Sequence, residues 1–118
     1  MKFIFSLDGH YSVEVQPTKY KLIAWQLEEL NYVDFIDVVY DGIDSVLSGK
    51  DEEWHMSFNS TFLSIRKDKV YFENLCKDSD FVEIELKLFI SILKKWEHFV
   101  KLSSKRKKFR KRVAFNKF

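Results

Sequence analysis

Residues 54–75, WHMSFNSTFLSIRKDKVYFENL, decide the fold because they hold successive strands with no space for a helix between them. Apolar and polar residues alternate with a period of two, as Leu63 and Ile65 do with Ser64 and Arg66, and this alternation predicts β-strands. The turns are too short for a crossover, so neighbouring strands are expected to pair antiparallel. The predicted strands are 54–59, 61–66, 69–75 and, slightly later, 81–85.

A hairpin precedes this region at the start of the chain. Residues 2–7 and 10–15 also alternate with a period of two. Asp8-Gly9 lies between them and predicts a two-residue turn, because glycine accepts the positive φ that such turns require. Pro17 ends the second strand, since proline has no N–H to donate to a neighbouring strand.

Two segments have the three-to-four-residue periodicity of amphipathic helices. The first covers residues 31–48, with Asn31 as the predicted N-cap and Gly49 as the left-handed residue that ends it. Its predicted apolar stripe consists of Val33, Ile36, Tyr40, Ile43 and Leu47 and is widened by Val39 and Val46. The second covers 86–102, and residues 18–30 are predicted to be helical or irregular. Together these elements predict an α+β fold, with a single antiparallel sheet of about five to six strands and two main helices packed on it.

Composition excludes several classes of protein. A chain of 118 residues corresponds to one domain, and its single cysteine, Cys76, rules out a disulfide framework. No stretch approaches the ~18 apolar residues of a transmembrane helix, and the apolar run before Asp8 is too short for a signal peptide. The histidines lack metal-binding spacing, and no catalytic or phosphate-binding motif occurs. We therefore expect a cytoplasmic protein that is not an enzyme and needs no cofactor or metal.

The small net charge of +2 conceals an acidic body and a basic end. Residues 1–100 contain 11 Lys/Arg against 18 Asp/Glu, a net −7, whereas residues 101–118 contain nine Lys/Arg and no acid. The division predicts one domain over residues 1–102 and a flexible basic tail over 103–118, because dense like charges repel one another. The most acidic part is 27–53, which carries nine acids and one base.

Four of these acids form a stripe on the first predicted helix. Asp34, Asp37, Asp41 and Asp44 are spaced i, i+3, i+7 and i+10, so they share one helix face. Neighbouring like charges destabilise a helix by a few tenths of a kcal/mol per pair, and no Lys or Arg offsets them. We interpret the stripe as a surface for a basic partner; the other interpretation is an ordinary solvated face.

The acidic character continues into the loop after this helix. Asp51, Glu52 and Glu53 do not match the spacing of a calcium-binding loop. Trp54 follows them and either fills the core or anchors an interface. Gly42, in the helix interior, indicates either close packing or a bend. The predicted partner-binding residues are Asp34, Asp37, Asp41, Asp44, Asp51, Glu52, Glu53 and Trp54.

The basic run at residues 105–112, KRKKFRKR, supports a second hypothesis. Such a run can bind phosphates of RNA, DNA or an anionic membrane without sequence selectivity. The chain would then be a small nucleic-acid-binding module. The other interpretation is a solvated tail that lies over the acidic helix of its own chain.

With these features in order, residues 1–102 resemble the small bacterial immunity proteins of contact-dependent growth inhibition and related polymorphic toxin systems. The segments that carry the resemblance are KFIFSLDGHYSVEV, FIDVVYDGIDSVLSGKDEEW, WHMSFN, FLSIRK, VYFENL and ELKLFISILKKWEHFV. The resemblance implies a cytoplasmic protein that binds a cognate toxin domain and blocks it without catalysis of its own. Many such toxins are nucleases with a basic cleft, and the acidic helix would occupy that cleft in place of phosphate.

Overall fold

The computed structural model describes residues 1–6, 9–106 and 113–116 and has an α+β fold. Its elements are β1 (Lys2–Phe5), β2 (Tyr11–Glu14), a 3-10 turn (Thr18–Tyr20), α1 (Lys21–Glu29), α2 (Val33–Leu47), β3 (Trp54–Ser57), β4 (Thr61–Ile65), β5 (Lys69–Asn74), β6 (Phe81–Glu85), α3 (Leu86–Arg106) and β7 (Val113–Asn116).

The strands form two antiparallel sheets, so the prediction of a single sheet is wrong. The four strands predicted from residues 54–85 are confirmed and pair in the order β3-β4-β5-β6. The other sheet has the order β2-β1-β7. Alternation identifies a strand but not its partner, and here β1 and β2 contact α3 and α1 instead of joining the larger sheet.

The described part of the chain has three α-helices rather than two. Residues 18–30, whose structure the sequence left open, form the 3-10 turn and α1. The N-cap of α2 is Tyr32, not Asn31; its carbonyl accepts hydrogen bonds from the N–H groups of Phe35 (3.1 Å) and Ile36 (3.2 Å). Gly49 has a φ of +82° and ends α2 as predicted.

The hairpin at the start of the chain is closed by Ser6 and His10. The Ser6 N–H donates to the His10 carbonyl (2.8 Å), and the Gly9 N–H donates to the Ser6 carbonyl (3.0 Å). Three residues therefore separate the closing pair, not the predicted two, and Gly9 takes the positive φ of +88°. Leu7 and Asp8 lie outside the described residues.

An aromatic cluster joins the smaller sheet to α3. The fully buried Trp96 contacts the ring of Phe3 edge-on, at 5.0 Å between centroids, and Phe99 and Tyr11 complete the cluster. The Trp96 indole N–H donates to the carbonyl of Leu30, which follows α1 (2.8 Å). Trp96 thus connects α3 to the hairpin and to the corner between α1 and α2.

Beyond residue 102 the chain continues the last helix and then adds a strand. The predicted domain boundary falls inside α3, which continues to Arg106 with Ser103 fully buried. Residues 113–116 form β7 and pair with β1, from Lys2↔Asn116 to Phe5↔Val113. Residues 107–112, which contain most of the basic run and of the tail predicted to be flexible, lie outside the described residues.

Glu28 of α1 closes the free edge of β2. Its carboxylate accepts a hydrogen bond from the Val13 N–H (2.7 Å), a group that would otherwise be open to another strand. Burial raises the pKa of Glu28, and this effect exceeds the opposing effect of the hydrogen bond. A carboxyl group whose pKa is raised by folding makes its full contribution to stability below the pKa it has in the unfolded chain. That contribution is lost as the pH rises through the pKa of the folded state.

We therefore expect Glu28→Gln to raise the free energy of unfolding at pH 7, because a neutral amide can accept the same hydrogen bond without a buried charge. The difference should disappear near pH 3.5, where Glu28 itself is protonated. Urea denaturation at both pH values tests this, with the exposed Glu52→Gln as control. A less stable Glu28→Gln protein at pH 7 would contradict the assigned cause of the shift.

Candidate functional site: the acidic face of α2

The acidic stripe predicted on α2 faces solvent. Asp34, Asp37, Asp41 and Asp44 are all exposed. The opposite side of the helix is buried against the core; its buried residues are Ile36, Val39, Gly42, Ile43 and Val46. Residues three or four apart on a helix have Cβ atoms about 5–6 Å apart. The four carboxylates therefore form one continuous row along the outward side of the helix.

No cation of the described chain neutralises the row. Residues 22–49 contain no Lys or Arg, and among the described residues no ion pair or side-chain hydrogen bond involves any of the four aspartates. The described ion pairs join Lys21 to Asp80, Arg66 to Glu53, and Lys101 to Glu97. Within the described ranges, the stripe therefore has no Lys or Arg at ion-pair distance.

The position of the acids along α2 is unfavourable to the helix itself. A helix carries roughly half a negative charge at its C-terminus, so nearby cations stabilise it and nearby anions destabilise it. The last turn of α2 has no basic residue and contains Asp44, while the exposed Asp51 and Glu52 follow shortly after. Only Asp34, in the first turn, has a favourable position relative to the helix dipole.

Glu53 is set apart from the other predicted acids. Its carboxylate accepts hydrogen bonds from the Ser64 hydroxyl and from Arg66, on the side of the larger sheet that faces away from the helices. The Ser64 hydrogen bond, with the charge of Arg66, lowers the pKa of Glu53. Glu53 therefore has partners in the part of the chain that the structure describes, where the aspartates of α2 have none.

Trp54 packs against α2 at the position of its glycine. A Cβ atom built on Gly42 would lie within 2.7 Å of three atoms of the Trp54 indole, far closer than carbon atoms can approach. Of the two explanations for this glycine, the structure therefore supports close packing. Trp54 is half-buried and holds β3 against α2, so most of its surface is used inside the molecule.

A polar contact with α3 fixes the other side of the acidic helix. The Tyr40 hydroxyl donates to the carboxylate of Glu97 (3.4 Å), and Lys101 forms an ion pair with the same carboxylate (3.3 Å). Burial, together with the negative charge of Glu97, raises the pKa of Tyr40 to about 12, so the hydroxyl stays protonated and remains a donor. Contacts on both flanks thus hold the stripe in a defined orientation.

Exposed apolar side chains beside the stripe were not predicted as part of the site. Tyr32 is 60% exposed, Phe35 is 44% exposed and Val38 is 41% exposed. Phe35 and Val38 fall outside the apolar stripe predicted for the helix. This departure is the signal in the sequence that indicates exposed apolar side chains at these positions. Leu47 belongs to the apolar stripe that the sequence predicts but is 52% exposed.

Comparisons of the chain with protein-family models, with curated proteins and with solved structures found no match. Among the described residues, no three His, Cys, Asp or Glu side chains are arranged to hold a metal ion. None of the helices in the described part is both long enough and apolar enough to span a bilayer. Interpretation of the site therefore depends on its own geometry and charge.

Proposed function

We propose that this chain is an immunity protein that binds a cognate toxin domain, a nuclease of the RNase kind, in the cytoplasm. The acidic face of α2 covers the basic active-site cleft of the toxin, and the loop with Asp51 and Glu52 extends this contact. The chain acts by occupying the cleft and has no catalytic role.

The observation that carries the proposal is the exposed row of four aspartates without an intramolecular cation among the described residues. Repulsion between the carboxylates and the unfavourable helix dipole both reduce the stability of α2. Alternating Lys and Asp would keep the surface soluble without this cost. A cationic partner surface explains the arrangement, because its charges offset the repulsion when the complex forms.

The geometry also suits competition with a nucleic acid. A nuclease binds a line of phosphates through Lys and Arg, and the stripe presents a line of carboxylates on one rigid helix. Charges at the edge of such an interface mainly accelerate association, whereas charge pairs buried at its centre slow dissociation. The proposed complex is therefore expected to form rapidly and to weaken as the salt concentration rises.

No observation on the described residues favours the nucleic-acid-binding alternative. Residues 1–100 carry a net charge of −7, which repels nucleic acid, and residues 107–112 lie outside the described structure.

The reading frame beside the gene for this chain provides the test. We expect it to encode a large secreted protein that ends in a toxin domain. Expression of that terminal domain alone should stop growth and degrade cellular RNA, and co-expression of this chain should restore both. The two proteins should also co-elute in a size-exclusion column at low salt.

Growth arrest that persists in the presence of this chain would refute the proposal, as would a neighbouring frame without such a domain. Asp37→Lys/Asp41→Lys should fail to restore growth. Asp78→Lys/Glu83→Lys makes the same change in net charge at exposed positions away from α2 and should restore growth fully.

A further inference from the structure

A groove lies at the N-terminal end of the acidic stripe. It has a volume of about 670 Å³ and runs between the α1–α2 corner and the edge strand β3. Its walls combine aromatic or apolar side chains with two carboxylates; the residues that matter here are Glu28, Glu29, Tyr32, Phe35, Met56 and Phe58.

The aromatic wall of the groove is more exposed than folding requires. Tyr32 and Phe35 meet edge-to-face at 5.7 Å between ring centroids, yet both keep a large part of their surface in water. Met56 and Phe58 on the other wall are half-buried. A ligand with an apolar stem can therefore bury a substantial aromatic area in this groove.

The charge around the groove selects a cation. Glu28 and Glu29 line it, and Asp34 and Asp37 lie on the adjoining turns of α2. The amide groups at the start of α2 contribute roughly half a positive charge, which these four carboxylates exceed. Residues 22–49 include no Lys or Arg that could compete for the position.

Hydrogen bonds to the backbone hold both carboxylates in place. Glu29 accepts from the N–H groups of Asn59 (2.8 Å) and Ser60 (3.2 Å) and from the Ser60 hydroxyl (2.6 Å). Glu28 is fixed by the Val13 N–H (2.7 Å). The groove is therefore preorganised, with its negative groups unable to turn away and its rings at the surface.

We propose that this groove binds an arginine side chain of the partner, whose guanidinium group lies against the Tyr32 and Phe35 rings near Glu28 and Glu29. The inference rests on the proposed function, since it identifies the anchoring residue of the same basic partner. Arginine fits better than lysine because its planar head stacks on aromatic rings and also forms paired hydrogen bonds with carboxylates.

A small probe tests the groove without the partner. We would titrate the intact chain with N-acetyl-arginine methylamide and follow the aromatic signals of Tyr32 and Phe35 and the Met56 methyl signal by NMR. Saturable shifts at these residues are expected, with a dissociation constant on the order of 10 mM. N-acetyl-norleucine methylamide, which has an apolar stem without the cationic head, should shift them far less.

Two variants test whether the arginine-induced shifts arise in the groove. Phe35→Ala should abolish the saturable shifts, whereas Phe81→Ala, which removes a 58% exposed ring from β6, should leave them unchanged. Equal shifts with the norleucine probe, or arginine-induced shifts spread over all acidic residues, would overturn the proposal. Retention of the shifts in folded Phe35→Ala protein would also overturn it.

Binding kinetics of the toxin complex distinguish a failure of this inference from a failure of the proposed function. If the groove holds the anchor, Phe35→Ala should increase the dissociation rate at least tenfold and change the association rate little. An unchanged dissociation rate in a complex that still depends on Asp37 and Asp41 would refute the groove alone. Absence of any toxin complex, with the arginine probe still bound, would refute the proposed function alone.

Discussion

Asp37→Lys/Asp41→Lys is expected to reduce the association rate with the toxin domain by about tenfold to a hundredfold at low salt. Opposite charges steer two proteins together before they touch and raise association rates by about 10- to 1,000-fold. The substitutions change the charge at the centre of the exposed row by four units. Stopped-flow measurements over a series of salt concentrations would show the effect, which should shrink once salt screens the charges.

Loss of folding does not explain this expected result. Lysine at these positions removes repulsion between neighbouring aspartates and places cations within reach of the remaining carboxylates. The midpoint of thermal unfolding should therefore stay the same or rise while association slows. A variant that is less stable, or that associates at the wild-type rate at low salt, would contradict the assignment. The Asp78→Lys/Glu83→Lys variant should associate at nearly the wild-type rate.

Gly42→Val is expected to lower the free energy of unfolding by about 3 kcal/mol. A Cβ at this position meets the indole of Trp54 within 2.7 Å, and overpacking of a close contact costs about 1–3 kcal/mol. Valine adds two methyl groups beyond that atom and gains little from helix propensity. Urea denaturation measures this change in the free energy of unfolding.

The same substitution in a Trp54→Ala background separates two explanations for the glycine. If Gly42 serves to admit the ring, valine should cost much less once the ring is absent, and the double-mutant cycle should show a large coupling energy. An equal loss in both backgrounds would mean that the helix needs the glycine for its backbone. The structure supports the first explanation.

The sequence predicted structure best where the relevant contacts are local. Short turns join the strands of residues 54–85, so alternation and antiparallel pairing determined the larger sheet. The smaller sheet depends on pairing between β1 and β7, at opposite ends of the described chain, and no local pattern carries that information. The sequence also predicts too early an end for α3, at residue 102. Ser103 interrupts the apolar pattern there, but the residue is buried and the helix continues to Arg106.

The candidate site shows the same contrast. Helix geometry converts the spacing of four aspartates directly into a shared face, and the structure places all four at the surface. Proximity in the sequence groups Glu53 with them, yet strand alternation places Glu53 on the side of His55, away from α2. The groove beside Tyr32 and Phe35 brings α1, α2 and β3 together, and such a three-element junction has no signature in a single segment.

The pairing of β7 with β1 has a consequence for synthesis on the ribosome. Residues 54–85 can form the larger sheet as soon as they emerge, because their contacts are close in sequence. The smaller sheet must wait for residues 113–116, so β1 keeps an unpaired edge until nearly the whole described chain has been made. Such an edge can pair with other nascent chains, and truncation before Val113 would leave it open permanently.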